Sequence, residues 1–348
     1  MATRPIALTH DSIKGPIGFG GVAKLRGYRF GGSLRNHQRG LRARFATTCH
    51  PPIRISLKLR HRQSLTAWGF LALPLFFYAS VRFWPAIDAF RLSLSRWDLV
   101  GPRVFVGFAN YVQLFRDPAF LHVLGNTFAY LMLGLPASLL LAFLVAYHLD
   151  RVRTGHTILR ALYFLPHLTT ATAMAFVWRW LYQPPPIGLF NNLLATFGIP
   201  AQPFLRSTTQ ALPAILVPAI WTALGYQIVI LLAGLRAIPR VYLEAAAVDG
   251  ASATQVLRHV TLPLLRPTLV FLIVTTSIGF LRIFDYVYNM TDGAEGGPLN
   301  STKPIVLSIY QTAFARMEMG PAAAQTFILF VILLLLSLLQ LRLLRPKT

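Results

Sequence analysis

The run ALPAILVPAIWTALGYQIVILLAGL, residues 211–235, carries no charged residue over its whole length. A helix rises about 1.5 Å per residue, so ~20 mostly apolar residues suffice to cross the hydrocarbon layer of a bilayer. Five further stretches outward from this one pass the same test: 65–90, 126–148, 159–181, 268–288 and 323–341. The last is also free of charge. The first carries Arg82 and Asp88 near its far end, and the fifth carries Arg282 and Asp285 in its second half. Pro74, Pro136, Pro166, Pro213 and Pro218 fall within spans, where neighbouring helices satisfy the backbone groups that proline frees. The expected fold is an all-α membrane protein with six transmembrane helices.

Composition agrees with this reading. Of 348 residues 55% are hydrophobic and 13% charged, with mean hydropathy +0.54. Soluble domains carry about 25% charged residues. A disordered chain, a disulfide scaffold and an ordinary soluble enzyme are excluded. The formal charge of +22 would suit nucleic acid, but its position argues against that partner. Residues 1–64 hold 13 Lys and Arg against the single acid Asp11. They are read as a basic disordered cytoplasmic tail that touches membrane lipid, with a transit-like presequence and an upstream translation as the competing readings. The domain proper is 65–345. The lone Cys49 lies in this tail, as does GFGGVA (18–23), which lacks the preceding strand of a dinucleotide fingerprint.

Six spans put both termini on one side. Placing them in the cytoplasm gives 23 Lys and Arg inside against 10 outside, and the inner loops are the shorter ones. Both termini of this multi-pass chain are therefore expected in the cytoplasm.

Between the fourth and fifth spans lies IPRVYLEAAAVDGASATQVLRHVTLPLLRP, residues 238–267. Pro239 suits the first position of a helix, RVYLEAAAVD is a good helix former, and Gly250 suits the left-handed residue that ends one. Val241, Leu243, Ala247 and Val248 are available for packing. Ser252-x-x-Gln255 is a capping box that opens a second short helix, which Pro263 and Pro267 are expected to close before the fifth span. The result is a cytoplasmic helix–Gly–helix elbow.

The combination E-A-A-x-x-D-G-A followed eleven residues later by L-P resembles the cytoplasmic signature loop of permease subunits in bacterial ATP-binding-cassette (ABC) importers. The matching positions are Glu244, Ala245, Ala246, Asp249, Gly250, Ala251, Leu262 and Pro263. The resemblance implies that a short helix of this loop fits a cleft on a separate ATPase subunit and transmits its closure. It also implies a second permease subunit, giving a heterodimer, and an extracytoplasmic solute-binding protein. Segments 106–130, 164–184, 284–314 and 320–344 are similar to the carbohydrate branch of that family, so the likeness covers about residues 65–345. TDGAEGGP departs from the branch's shorter T-x-GGP, and the basic tail has no counterpart. The substrate implied is a sugar or a related polyol or glycerophosphate.

No G-x-x-x-x-G-K-[ST] occurs in the chain, so ATP hydrolysis belongs on a partner and the chain itself is expected to be no enzyme and to need no cofactor. Arg282 and Asp285, three apart, are expected on one helix face, and ionisable groups in a span are functional candidates. With Tyr226 and Gln227 they form the candidate substrate pathway. Phe280, Phe284, Tyr286, Tyr288 and Trp221 read more readily as packing residues than as sugar-stacking ones, and His167 as a hydrogen-bonded core residue. The competing function is an ion-gradient-driven secondary transporter, which needs coupling carboxylates near the bilayer centre. Only Asp285 approaches that requirement.

Overall fold

The computed structural model describes residues 57–152, 155–291 and 295–344. Most of the basic tail, with Cys49 and the 18–23 glycine cluster, lies outside the described residues. Helix α1 (Leu57–Tyr78) opens the described chain. It continues through a π turn, Ala79–Phe83, into α2 (Trp84–Ser93). Residues 1–71 and 72–348 are two separate units, the boundary falling inside α1. All of the packing and both candidate regions described below belong to the second unit.

A minute hairpin comes next: β1 (Ser95–Arg96) pairs antiparallel with β2 (Val104–Phe105). It is a small departure from the all-α expectation. The short helix α3 (Ala109–Arg116) precedes α4 (Pro118–Leu149). Asp117 caps α4 by accepting from the Ala119 N–H at 2.9 Å, and Pro118 occupies the first turn, where its missing N–H costs nothing.

Among the described residues five helical stretches are long and apolar enough to cross a membrane: Thr66–Ser93, Pro118–Leu149, Ala211–Arg236, Ala253–Leu281 and Met319–Leu344. The stretch expected at 159–181 is divided. Helix α5 (His156–Leu168) and helix α6 (Ala171–Leu181) meet at the extended pair Thr169–Thr170. Pro166 removes a backbone donor, and the Thr170 hydroxyl accepts from the Ala173 N–H at 3.3 Å, starting a new helix. Helix α7 (Leu189–Thr196) then leads to α8 (Ala211–Arg236), which carries Pro218 without a break.

Helix α9 (Arg240–Val248) and helix α10 (Ala253–Val256) follow. A π turn, Leu257–Thr261, joins α10 to α11 (Leu262–Leu281). Pro263 and Pro267 therefore do not close the second short helix, which runs on into the long one. The π turn supplies the reason: it resets the hydrogen-bond ladder, so Pro263 falls in a first turn that needs no N–H from it. Helix α12 (Asp285–Met290), helix α13 (Ile305–Tyr310) and helix α14 (Met319–Leu344) complete the chain.

Helix α8 is the hub. It packs along α4 and against α5 and α11, while α14 lies against α2 and α11. Lipid is as apolar as leucine, so helices associate in it through close packing and polar bonds. Both occur here. A Cβ on Gly134 of α4 would come within 2.5 Å of the Phe280 ring of α11. Tyr130 donates its hydroxyl to the Thr302 carbonyl at 2.9 Å, and the Asn126 amide donates to the carbonyls of Asn300 and Lys303 at 2.9 and 3.2 Å. These bonds tie the 298–303 segment to α4. At the other end of α4, Arg236 pairs with Asp150 at 3.1 Å.

Candidate functional site

Two regions hold the residues singled out from the sequence. The first is the elbow between α9 and α10. Helix α9 ends on Asp249, and Gly250 follows with φ +72°, a backbone conformation that side chains with a Cβ resist. The Gly250 N–H donates to the Ala247 carbonyl at 3.1 Å and the Ala251 N–H to the Ala246 carbonyl at 2.9 Å, the paired bonds of a Schellman cap. The capping box is present in full: Ser252 N–H donates to Gln255 Oε1 at 2.7 Å, and Gln255 N–H to Ser252 Oγ at 3.4 Å.

This elbow is locally braced and otherwise unpacked. No residue of α9 is buried. Glu244, Ala245 and Asp249 are exposed, and Val248 is 87% exposed. The apolar side chains expected to pack, Val241, Leu243, Ala247 and Val248, face outward instead. Ala246, Asp249, Gly250 and Ala251 line a shallow groove with Gln255 and His259. Leu262 and Pro263 stand apart from it, as the first two residues of α11 beyond the π turn.

The second region is a cavity of about 300 Å³ between α5, α8, α11 and the start of α12. Its lining includes Tyr226, Gln227, Arg282 and Asp285 together, so all four candidate pathway residues meet there. The expectation that Arg282 and Asp285 share a helix face is corrected. Arg282 ends α11, Phe284 takes φ −140° and ψ −60°, and Asp285 opens α12. The break places Asp285 in a first helical turn, where backbone N–H groups favour an acid.

Gln227 has a defined orientation. The residue is only 1% exposed, and its Nε2 donates to Ser138 Oγ of α4 at 3.2 Å and to Thr276 Oγ1 of α11 at 3.1 Å. The Ser138 hydroxyl already donates to the Leu135 carbonyl at 3.1 Å, so toward Gln227 it can only accept. That assigns Nε2 to Ser138 and leaves Gln227 Oε1 without a partner. A buried acceptor in that state is costly.

His167 donates from Nδ1 to the Thr222 carbonyl at 3.2 Å and stacks on Tyr226 with centroids 5.8 Å apart. It is hydrogen-bonded as expected, but it is exposed on the cavity lining rather than in a core. Phe280, Phe284 and Tyr286 also line the cavity. Tyr286 is held at 2.7 Å from Thr222 Oγ1, whose own proton goes to backbone carbonyls, so Tyr286 is the donor. Trp221 and Tyr288 do not line it: Trp221 packs edge-on against Trp178, and Tyr288 stacks on Phe284. Sequence reasoning missed Ser138 and Thr276, the two anchors of Gln227. The run Thr275-Thr276-Ser277 inside an apolar span was the available signal.

Known proteins resemble this chain over most of its length. Residues 105–348 match the family described as "Binding-protein-dependent transport system inner membrane component". The chain is 33% identical over 262 residues to the sn-glycerol-3-phosphate transport system permease protein UgpA of Brucella abortus, covering 75% of this chain and 88% of the relative. It is 29% identical over 286 residues to the lactose transport system permease protein LacF of Rhizobium radiobacter, covering 81% of this chain and 95% of that one. Its fold is similar to a chain of the bacterial alginate ABC transporter in complex with an alginate pentasaccharide-bound periplasmic protein, with TM-score 0.72, 21% identity, and coverage of 83% of this chain and 97% of that one. A multi-pass helical chain that matches this family over most of its length, and UgpA over three quarters of it, belongs to the binding-protein-dependent transport system inner membrane components, the permease subunits of ABC importers.

Proposed function

We propose that this permease forms half of a translocation pathway for a sugar or a related polyol or glycerophosphate. The observation that carries the reading is the convergence of Tyr226, Gln227, Arg282 and Asp285 on one cavity from separate helices. The lining offers an amide, a guanidinium, a carboxylate and four aromatic rings, Tyr226, Phe280, Phe284 and Tyr286. That mixture suits a solute with hydroxyls on one side and C–H surface on the other. The names of UgpA and LacF point to the same class.

The elbow is the coupling element toward an ATPase subunit. A lever must be rigid, and both of its helices are capped, α9 by backbone bonds and α10 by the Ser252–Gln255 capping box. It must enter a groove closely, and Ala245, Ala246 and Ala247 keep one stretch small. Its exposed apolar residues await a partner, and Glu244 and Asp249 offer carboxylates to that partner's cations. Leu262 and Pro263 carry the movement into α11. A second permease subunit completes the pathway, and an extracytoplasmic solute-binding protein delivers the solute. With the broken pair α5–α6 as the third of six crossings, both termini and the elbow share one face, and the excess of Lys and Arg on that face supports its being the cytoplasmic one.

The test is to purify the tagged full-length chain from its native membrane in mild detergent and identify its companions by mass spectrometry. An ATPase subunit with a second multi-pass permease is the expected result, and crosslinks from 238–262 should reach the ATPase. A chain that emerges alone, with no ATPase after crosslinking at those residues, overturns the reading and favours an ion-driven carrier built around Asp285.

A further inference from the structure

Between α6 and α8 the chain runs from Trp180 to Leu205 without a charged residue, bracketed by Arg179 and Arg206. Soluble domains average about 25% charged residues, so a water-facing stretch of this length would hold about six. Yet the segment is no crossing. It turns through residues 183–188, forms the short α7 and returns to α8.

Ring contacts set its depth. Phe190 of α7 lies 5.6 Å from Trp178, centroid to centroid, and Trp178 is in the last turn of α6. Tyr182 packs on Phe190 at 5.4 Å and on Phe204 at 4.7 Å. The Tyr182 hydroxyl donates to the Ala214 carbonyl, in the first turn of α8, at 3.1 Å. Helix α7 is thus fastened beside the end of α6 and the start of α8, away from the elbow. The 26 residues of α8 rise over about 39 Å, against about 30 Å of hydrocarbon, so its first turn falls at the headgroup boundary.

Helix α7 has three sides. Phe190, Asn191 and Leu194 turn toward the protein. Asn191 is 1% exposed, and it fixes the rotation of the helix: its Nδ2 donates to the Gln183 and Gln202 carbonyls at 3.0 and 3.2 Å, and its Oδ1 accepts from the Gln202 N–H at 2.8 Å. Asn192 and Thr196 make an exposed polar edge. Leu189, Leu193 and Phe197 follow one another four apart and make an exposed apolar stripe, Phe197 being 79% exposed. Gly198, with φ +70°, ends the helix: its N–H donates to the Ala195 carbonyl and the Ile199 N–H to the Leu194 carbonyl, both at 3.0 Å. The stripe is therefore held in place before anything covers it.

Its surroundings say what covers it. Phe176 and Trp180, also four apart and exposed, bring the apolar surface of α6 up to the same level. The stripe extends a surface that faces hydrocarbon and is not an isolated patch. A short helix with an apolar stripe beside a polar edge, held at the headgroup boundary, has the form of one lying in the interface plane. We propose that α7 lies in the leaflet opposite the elbow, with Leu189, Leu193 and Phe197 at the acyl boundary and Asn192 and Thr196 toward water. Without Lys or Arg of its own, it takes this seat irrespective of lipid charge.

The test places a nitroxide on Leu193→Cys, Thr196→Cys or Phe197→Cys, each in a Cys49→Ser chain assembled with cysteine-free partner subunits in phosphatidylcholine nanodiscs. Collisions with oxygen and with a water-soluble nickel chelate are measured by electron paramagnetic resonance. The oxygen-to-chelate ratio at 193 and 197 should exceed that at 196 at least about fivefold, as expected of labels some 5–10 Å below the surface. Phosphatidylglycerol in place of phosphatidylcholine should leave these ratios unchanged. Equal ratios at the three positions make α7 a water-facing helix and overturn the proposal. Shielding of 193 and 197 from both reagents puts protein on the stripe and overturns it too. The covering protein is the second permease if the shielding is present from the start, and the solute-binding protein if it appears only when that protein is added. The unlabelled wild-type transporter gives an independent reading in vesicles of a phosphatidylcholine with a diazirine near the glycerol end of its acyl chain. Photolysis should attach lipid to residues 187–199 as well as to α6, and adducts on α6 alone overturn the proposal even where a nitroxide disturbs α7.

Discussion

The elbow and the cavity of Gln227 are built on opposite plans. The elbow is held by bonds between residues at most five apart, the Schellman cap and the capping box, and it keeps almost nothing of itself from solvent. The cavity is held by bonds that span 89 and 49 positions of sequence, from Gln227 to Ser138 and to Thr276. The contrast suits the roles proposed for them: docking on another subunit needs internal rigidity and a free surface, and meeting a solute inside the bilayer needs polar atoms fixed from several helices at once.

The sharpest way to break this contrast is Gly250→Val. A β-branched residue at φ +72° stores about 1–3 kcal/mol of strain, which the elbow relieves by changing the angle between α9 and α10. Uptake in reconstituted vesicles should fall by about a hundredfold while the protein remains in the membrane at normal levels. Uptake near wild type would remove the lever from the picture. Gly134→Val attacks the other plan. Its Cβ would stand 2.5 Å from Phe280, and overpacking of this kind costs about 1–3 kcal/mol. The melting temperature in detergent should drop, with the elbow's capped turns unaffected.

Gln227→Leu sharpens the chemical side. It removes the unpartnered acceptor and strands Thr276, and one such hydrogen bond is worth roughly 1–1.5 kcal/mol. The KM for uptake should rise about tenfold, with kcat less affected. Gln227→Glu, which keeps an acceptor, should recover part of the loss. An unchanged KM would make Gln227 a strut between helices and nothing more. Ser252→Ala costs about 1 kcal/mol if the capping box is what orders the start of α10. The readout is faster hydrogen exchange at Gln255, with α8 and α11 unchanged.

The smallest effect concerns the turn between Asp98 and Gly101. The Gly101 N–H holds the Asp98 carboxyl below the usual carboxylate value. A depressed native pKa means that this contribution is complete above the unfolded value of about 3.9 and is lost as pH falls through the native one. The Gly101 amide should exchange faster in that acid range only, and Asp98→Asn should flatten the response.

Legibility from the sequence divides along the same line. The apolar runs, the capping box at Ser252 and the glycine at 250 are local signals, each readable within a few residues. The break between α5 and α6 was half visible in Pro166, yet it also needed Thr170 as a cap. The continuation of α10 into α11 went against a plain reading of Pro263, because a π turn resets the ladder just before it. Arg282 and Asp285 were singled out by charge in a span, but their helical spacing did not survive the turn at Phe284.

The amino-acid sequence by itself determined that this chain lives in a membrane, where its long apolar helices run, and that a capped glycine elbow interrupts them. Those are matters of transfer free energy and of short-range backbone bonding, which need no knowledge of the rest of the fold. Only the tertiary structure decided that Gln227 turns its Nε2 to Ser138 and Thr276. Only it brought Arg282 and Asp285 to the same cavity as Tyr226 and Gln227. Side chains far apart in sequence share a cavity only after several helices have packed, and no local pattern encodes that arrangement.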